Sequence, residues 1–540
     1  MSLAIKGSTT KETFIIDSIG YTTKHNNYKS VKDEVDLLLN TLSKIGYIET
    51  QLKSINKPND STFTASFYLN KKYTYIYIRY NTDAIDNDII RLASKDFDSG
   101  LLKIKLSDTE ATLNFINLKL SENGQPFSQV KLTNIEIDVN GNLSADLIHI
   151  SSEEKRFIDN IVIKGYENFP KSYLNHFLNI KREQTFNLNT LKEKTENLNL
   201  LRFSRELKSP EVLFTKDSTT VYLYLEKTKS NTFDGFLGFG SNENTNKLEF
   251  TGYVNLNLTN NLNYGESLKL LYKGDQNEQK TFEVNVSLPY LLKSPIGANF
   301  NLRIFKRDSS FTTVNQSAKL HYQINAKHKI YTGITAIESN NLLKNNSLLI
   351  DDYKSSFYTA SYAYQNTQPK NMLFPIKSYF NFESGFGKRK QNRQKTNQNL
   401  FTANGFKIFN LNTNNSIFVN AGGALLNSDD YLENELFRFG GINSIRGFEE
   451  NSIYASLFGI LNTEYRYRLN PTIYIHSITD IAYYQNKLTG QEENLYGFGF
   501  GFGVLTKAGL LKLSYANGKS KSTTFKLANS KIHISLTAYF

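Results

Sequence analysis

The 540-residue chain contains no cysteine. Disulfides, thiolate zinc sites and cysteine nucleophiles are thereby excluded. It has no run of ~18 apolar residues, so no helix in it can cross a bilayer. It has seven histidines, all scattered. Gly-x-Ser-x-Gly, His-Glu-x-x-His and nucleotide-binding motifs are all missing, which argues against an enzyme and against a metal or other cofactor. The balance is basic, with a formal net charge of +12 and a pI near 9.2. Yet no block of Lys and Arg is interleaved with aromatics, so nucleic acid is not an expected partner. The first residues, Met1-Ser-Leu-Ala-Ile-Lys-Gly7, lack a hydrophobic signal core. They fit a cytosolic protein or a processed mature form.

What the chain has in quantity is aromatic rings. There are 33 Tyr and 38 Phe, with no Trp. Strand propensity and interfacial aromatic belts both favour such a bias. The mean hydropathy of −0.43 is that of a soluble protein. A membrane β-barrel is equally compatible with it, because only half of each barrel strand is apolar.

The first 228 residues read as three copies of one α+β module. In the first, residues 13–19 predict a strand. Val31, Val35, Leu38, Leu39 and Leu42 then recur at helical spacing, and strands follow at 47–54 and 62–68. The second copy has a strand at 72–80, helices at 84–93 and 109–122, and strands at 130–139 and 143–151. The third has a strand at 158–164, helices at 171–178 and 188–200, and strands at 211–215 and 219–227. Gly46, Gly124 and Arg202 stand at the same helix-to-strand junction, 78 residues apart at each step. Equal spacing at equivalent points indicates tandem domains.

After Lys227 the helical periodicity stops and alternating segments begin. About 310 residues at roughly 19 per strand and loop give about 16 strands, an even number in the range of outer-membrane barrels. In 459–469, Leu461, Thr463, Tyr465, Tyr467 and Leu469 share one face, against Asn462, Glu464, Arg466 and Arg468 on the other. One such strand also fits a soluble sandwich. Many in a row, with no helical layer to cover them, favour the membrane. Tight turns at Asn470-Pro471 and Lys507-Ala508-Gly509 contrast with the long connection at 427–455, as the short periplasmic and long surface sides of a barrel would.

That long connection holds Phe437-Arg-Phe-Gly-Gly-Ile-Asn-Ser-Ile-Arg-Gly-Phe448, which is too polar and glycine-rich to be read as a strand. A guanidinium cannot be neutralised, so a buried Arg446 requires carboxylates. By strand parity, Glu464 faces the lumen with Asn462 and Arg466, and Asp480 shares a face with His476.

Gly440-Gly441 and Ile445-Arg446-Gly447-Phe448, set in a barrel behind three tandem modules, resemble the outer-membrane insertase superfamily. That group comprises BamA-type and TamA-type assembly factors and two-partner-secretion transporters. The modules look like POTRA domains. Ile478-Thr-Asp480-Ile-Ala482 is similar to the superfamily's Phe-x-Asp-x-Gly, with Ile for Phe and Ala for Gly. Phe540, ending a strand from Lys531, resembles the C-terminal barrel signal.

The resemblance implies POTRA domains at 13–71, 72–155 and 156–228, then a 16-stranded antiparallel transmembrane barrel at 229–540 with the loop 427–455 folded inward. It also implies that Arg446 pairs with Glu464 and Asp480 on the wall. The function it implies is assembly, insertion or translocation of proteins at the bacterial outer membrane, with the POTRA domains in the periplasm. Partners would be unfolded outer-membrane or secreted proteins, outer-membrane lipid, and accessory periplasmic or lipoprotein subunits. Three modules match the TamA-type layout. A two-partner-secretion pore exporting one exoprotein is the alternative. The twelve residues ahead of the first expected strand leave little room for the plug helix of that type. An adhesive barrel would leave the tandem modules unexplained.

Overall fold

The computed structural model describes the chain apart from residues 99, 151–154, 242–247, 275–278, 344–348, 369–370, 393, 507–508, 522–529 and 540. The side chains of 236–241, 248–251, 533, 535, 536, 538 and 539 are likewise outside the description. Phe540 and two residues of the expected turn, Lys507 and Ala508, therefore lie outside the described residues. By contacts the chain divides into two units. One holds 1–159 with 183–190 and 214–219, and the other holds the remainder.

The first module contains β1 (Ser2–Gly7), α1 (Thr10–Ile19), α2 (Tyr28–Lys44), β2 (Gln51–Asn59) and β3 (Thr62–Tyr68). The strand expected at 13–19 is a helix. Its apolar Phe14-Ile15-Ile16 mimics a strand, but Thr9 and Glu12 form a reciprocal capping box that satisfies the first backbone N–H groups of α1. The sheet strand is β1 instead, which buries Leu3 and Ile5. The apolar stripe of α2 packs on Leu3, Ile5, Phe63, Ala65 and Phe67. Each fully buried Leu, Ile or Phe side chain there contributes roughly 1.5–3 kcal/mol.

The second module runs β4 (Tyr75–Tyr80), α3 (Asn87–Ala93), β5 (Phe97–Asp98), β6 (Leu101–Lys105), α4 (Thr109–Glu122), β7 (Gln129–Ile137) and β8 (Leu143–Ile150). The β5–β6 hairpin has no counterpart in the sequence reading. The third runs β9 (Asn160–Gly165), a single π-helical turn at Tyr173–Phe177, α5 (Leu188–Glu196), β10 (Ser204–Phe214) and β11 (Thr219–Lys227). The helix expected at 171–178 is present over 171–177, with Tyr173–Phe177 in π-helical geometry.

The three sheets are ordered β1-β3-β2, β5-β6-β4-β8-β7 and β10-β11-β9. In each, the first strand lies parallel to the last strand of the closing hairpin. This shared connection, rather than any shared residue pattern, is what makes the three modules alike.

The barrel follows. Its strands are β12 (Thr232–Ser241), β13 (Leu248–Thr259), β14 (Ser267–Gly274), β15 (Lys280–Leu288), β16 (Ile296–Arg307), β17 (Phe311–Asn325), β18 (His328–Asn341), β19 (Tyr353–Thr367), β20 (Ile376–Gln391), β21 (Gln394–Asn410) and β22 (Asn415–Ser428). A short hairpin in the long loop comes next, β23 (Phe437–Phe439) and β24 (Ile453–Ala455). The wall resumes with β25 (Leu457–Asn470), β26 (Ile473–Asn486), β27 (Gln491–Leu505), β28 (Leu510–Lys519) and β29 (Lys531–Tyr539). Sixteen strands close into a barrel in sequence order, with β23 and β24 pairing apart from it. The opening residues of the glycine-rich stretch are therefore strand, not loop.

The wall alternates. On β25, Leu461 and Tyr465 are 40% and 50% exposed, whereas Asn462 and Glu464 are buried. On β26, Ile475, Ile481 and Tyr483 face out and His476, Asp480 and Tyr484 face in. Apolar outside and polar inside suits a surround of lipid. At one end of the barrel, Tyr173 of the third module packs edge-on to Tyr290, and its hydroxyl donates to the Gly265 carbonyl at 3.1 Å. Burial raises the Tyr173 phenol above its ordinary range.

Candidate functional site

The connection between β22 and β25 folds into the lumen, and its tip is built by glycine. Gly441 donates to the Ile445 carbonyl and Ser444 donates to that of Gly441, both at 3.2 Å. Gly440 N–H donates to Ser444 Oγ at 2.7 Å. Gly447 has φ +91°, a backbone state that side chains resist, and a Cβ there would sit 2.4 Å from the Gly518 nitrogen on β28. The turn presents Ile445 and Arg446 to the wall side by side.

Ile445 is fully buried against Phe439, Ala455, Ile460, Ala482, Tyr484 and Leu495. Phe448 packs on the edge of this cluster. The lumen here is a small hydrophobic core. The Ala482 methyl group adds to it.

Arg446 reaches past this core to the acids. Its Nε donates to Asp480 Oδ2 at 2.8 Å and its Nη2 to Asp480 Oδ1 at 2.5 Å. The backbone N–H of Arg446 adds a third bond to Asp480 Oδ2 at 3.0 Å. Its Nη1 donates to Glu464 Oε1. The other Glu464 oxygen accepts from Arg466 Nε at 2.7 Å. Asp480 is wholly shielded from solvent. A planar guanidinium fills this two-acid socket as an ammonium could not. Nearby, Asn462 donates to the Ser444 carbonyl at 2.7 Å, holding the turn to β25.

A second set of contacts, absent from the sequence reading, holds the loop to the wall strands between β16 and β21. Arg389 on β20 is 1% exposed and donates to Glu435 Oε1 at 2.5 Å and to Asp430. Gln398 on β21 donates to the other Glu435 oxygen at 2.9 Å. Arg307 on β16 pairs with Glu433 at 2.6 Å. Asn434 donates to Ser339 Oγ at 2.8 Å. The Arg438 guanidinium stacks on Phe305, Phe311 and Tyr454. At one attachment the loop carries the arginine and the wall the acids; at the other the main pair is reversed. Beside the loop the lumen holds a cavity of about 790 Å³, lined by Asn301, Arg303, Lys319, Glu383 and the third module's Tyr173 and Phe177.

No protein-family model matches the chain and no curated protein matches it. Solved structures do. BamA from Haemophilus ducreyi lacking POTRA domains 1–3 aligns at 15% identity and a TM-score of 0.51, over 86% of this chain and 99% of that one. CdiB from Acinetobacter baumannii aligns at 15% identity and a TM-score of 0.54, over 84% and 86%. CdiB from Escherichia coli aligns at 12% identity and a TM-score of 0.56, over 94% and 98%. The chain has the barrel-centred fold of BamA and CdiB.

Proposed function

We propose that this chain inserts or translocates proteins at the bacterial outer membrane, with residues 1–228 forming three periplasmic POTRA domains that receive extended clients by strand addition. The proposed limits are 72–155 and 156–228 for the second and third domains and 229–540 for the barrel. The first domain runs to residue 71 and takes in β1, the parallel strand of its sheet.

The observation that carries this reading is the seam. Among the described residues, β12 pairs with β13 over ten registered positions, but with β29 over three, Thr232–Asp234 against Thr537–Tyr539. Unpaired backbone groups facing lipid cost several kcal/mol each. A client strand entering at the seam would satisfy them, and that gain would drive its passage without nucleotide. Arg446, Glu464 and Asp480 hold the loop while the seam works.

Export of one dedicated protein is the second reading, favoured by the likeness to CdiB, a two-partner-secretion transporter. The test is Arg446→Ala in the native host. Lowered levels of many outer-membrane barrels support the insertase, and loss of one secreted protein supports the dedicated pore. Unchanged levels of both, with the variant stably inserted, would overturn the proposal.

A further inference from the structure

The residues directly after the loop motif lead along the inner wall to the seam itself. Beyond Arg446, the Gly447 backbone lies on Asn517 and Gly518 of β28, and Phe448 touches Gly518. Glu449 comes next, and Lys531 at the start of β29 donates to its Oε1 at 3.0 Å. Glu450 points the other way, to Lys273 near the end of β14 at 2.7 Å. A tight turn, in which Ser452 Oγ donates to the Glu449 carbonyl at 2.9 Å, fixes this divergence.

Lys531 and Lys273 stand on opposite sides of the seam. β29 is its last strand, and β14 is the strand beyond the β12–β13 hairpin. Both lysines lie at the seam end remote from the three registered pairs, since Thr537–Tyr539 is the far end of β29. One end of the seam is thus closed by backbone pairing. The other is spanned from inside by two ion pairs from adjacent loop residues.

We infer that Glu449 and Glu450 are positioning residues that clasp the seam, with Lys531 on one lip and Lys273 on the other, and so set its width from the Arg446 anchor. The inference rests on the seam reading above. All four side chains retain some exposure, between 25% and 61%. The clasp is therefore weakened by salt, unlike the shielded Arg446 pairs. A buried anchor carrying an exposed clasp lets the seam yield while the loop stays seated.

The chain has no native cysteine, so spin labels can be placed at Tyr272→Cys on β14 and Tyr515→Cys on β28, in the full-length protein in lipid bilayers. The pair Glu449→Gln and Glu450→Gln is expected to lengthen the label-to-label distance by about one strand spacing, roughly 5 Å, and to broaden it. High salt should do the same to the otherwise unmodified chain. The exchange Glu449→Lys with Lys531→Glu should restore the narrow distribution. If the neutralised pair fails to fold, the salt series and the charge exchange decide the matter. Superimposable distributions in low and high salt, or no restoration by the exchange, would overturn the clasp. The seam reading fails separately, if a disulfide between Asp234→Cys and Thr537→Cys leaves client delivery intact.

Discussion

The carbonyl oxygen of Arg446 lies 2.3 Å from the point that a Cβ on Gly497 would occupy. The loop anchor therefore needs a bare backbone on β27 as much as it needs acids on β25 and β26. Gly497→Ala changes no charge, yet it should unseat the loop. In proteoliposomes, trypsin should cut after Arg446 roughly tenfold faster than in the parent chain, the ratio given by about 1.4 kcal/mol of lost closure. Equal cleavage rates would show that the wall yields instead.

Asp480 accepts three bonds from Arg446, so Asp480→Ala leaves a guanidinium buried beside one shared carboxylate. Breaking a buried pair from one side costs roughly 3–5 kcal/mol. The heat-induced mobility shift of the folded barrel on a gel should move to a clearly lower temperature. Glu464→Gln, which keeps a hydrogen-bond acceptor for Arg446, should shift it less.

The second attachment is testable as a pair. Arg389→Gln alone leaves the buried Glu435 carboxylate with neutral donors only, Gln398 and the Leu432 N–H, and Glu435→Gln alone leaves Arg389 with Asp430 as its one carboxylate. The double variant should be less damaged than the two single losses added together, with a coupling of roughly 0.5–3 kcal/mol. Strict additivity in thermal unfolding would mean the pair contributes no binding of the loop.

Where the third module meets the barrel, a Cβ on Gly265 would fall 2.0 Å from the Tyr173 ring, at a backbone φ of +77°. Gly265→Val should separate the two surfaces. Hydrogen exchange in residues 166–177 should speed up while exchange in β20 and β21 stays as it was. A uniform change across the barrel would point to general destabilisation.

Much of this is legible in local pattern. Period-two alternation places the wall strands, and parity turns Glu464 and Asp480 inward before any coordinates are known. The failures have physical causes. Phe14-Ile15-Ile16 has strand content, and only the flanking Thr9 and Glu12 reveal a helix. The Phe97–Lys105 hairpin is too short to show a period. Arg389 sits inside Lys388-Arg389-Lys390, where charge on both parities hides which side chain faces in. Its partner Glu435 lies 46 residues away on the loop, and no local rule connects them. The short registry of β12 with β29 is a property of backbone edges, which side-chain patterns do not encode.

The two attachments of the loop also differ in how far apart their partners lie along the chain. Arg446 is 18 residues from Glu464 and 34 from Asp480. The second attachment starts at 37 and 46 residues, for Gln398 and Arg389 to Glu435, and extends to 95 for Asn434 to Ser339 and 126 for Arg307 to Glu433. Short separations close at lower entropic cost, and they close earlier. The C-terminal hairpins can thus seat Arg446 while the earlier strands are still arriving, and the second attachment then draws the strands from β21 back to β16 onto a finished template. The loop is in this sense a scaffold for its own barrel, fastened first on the side where the chain ends.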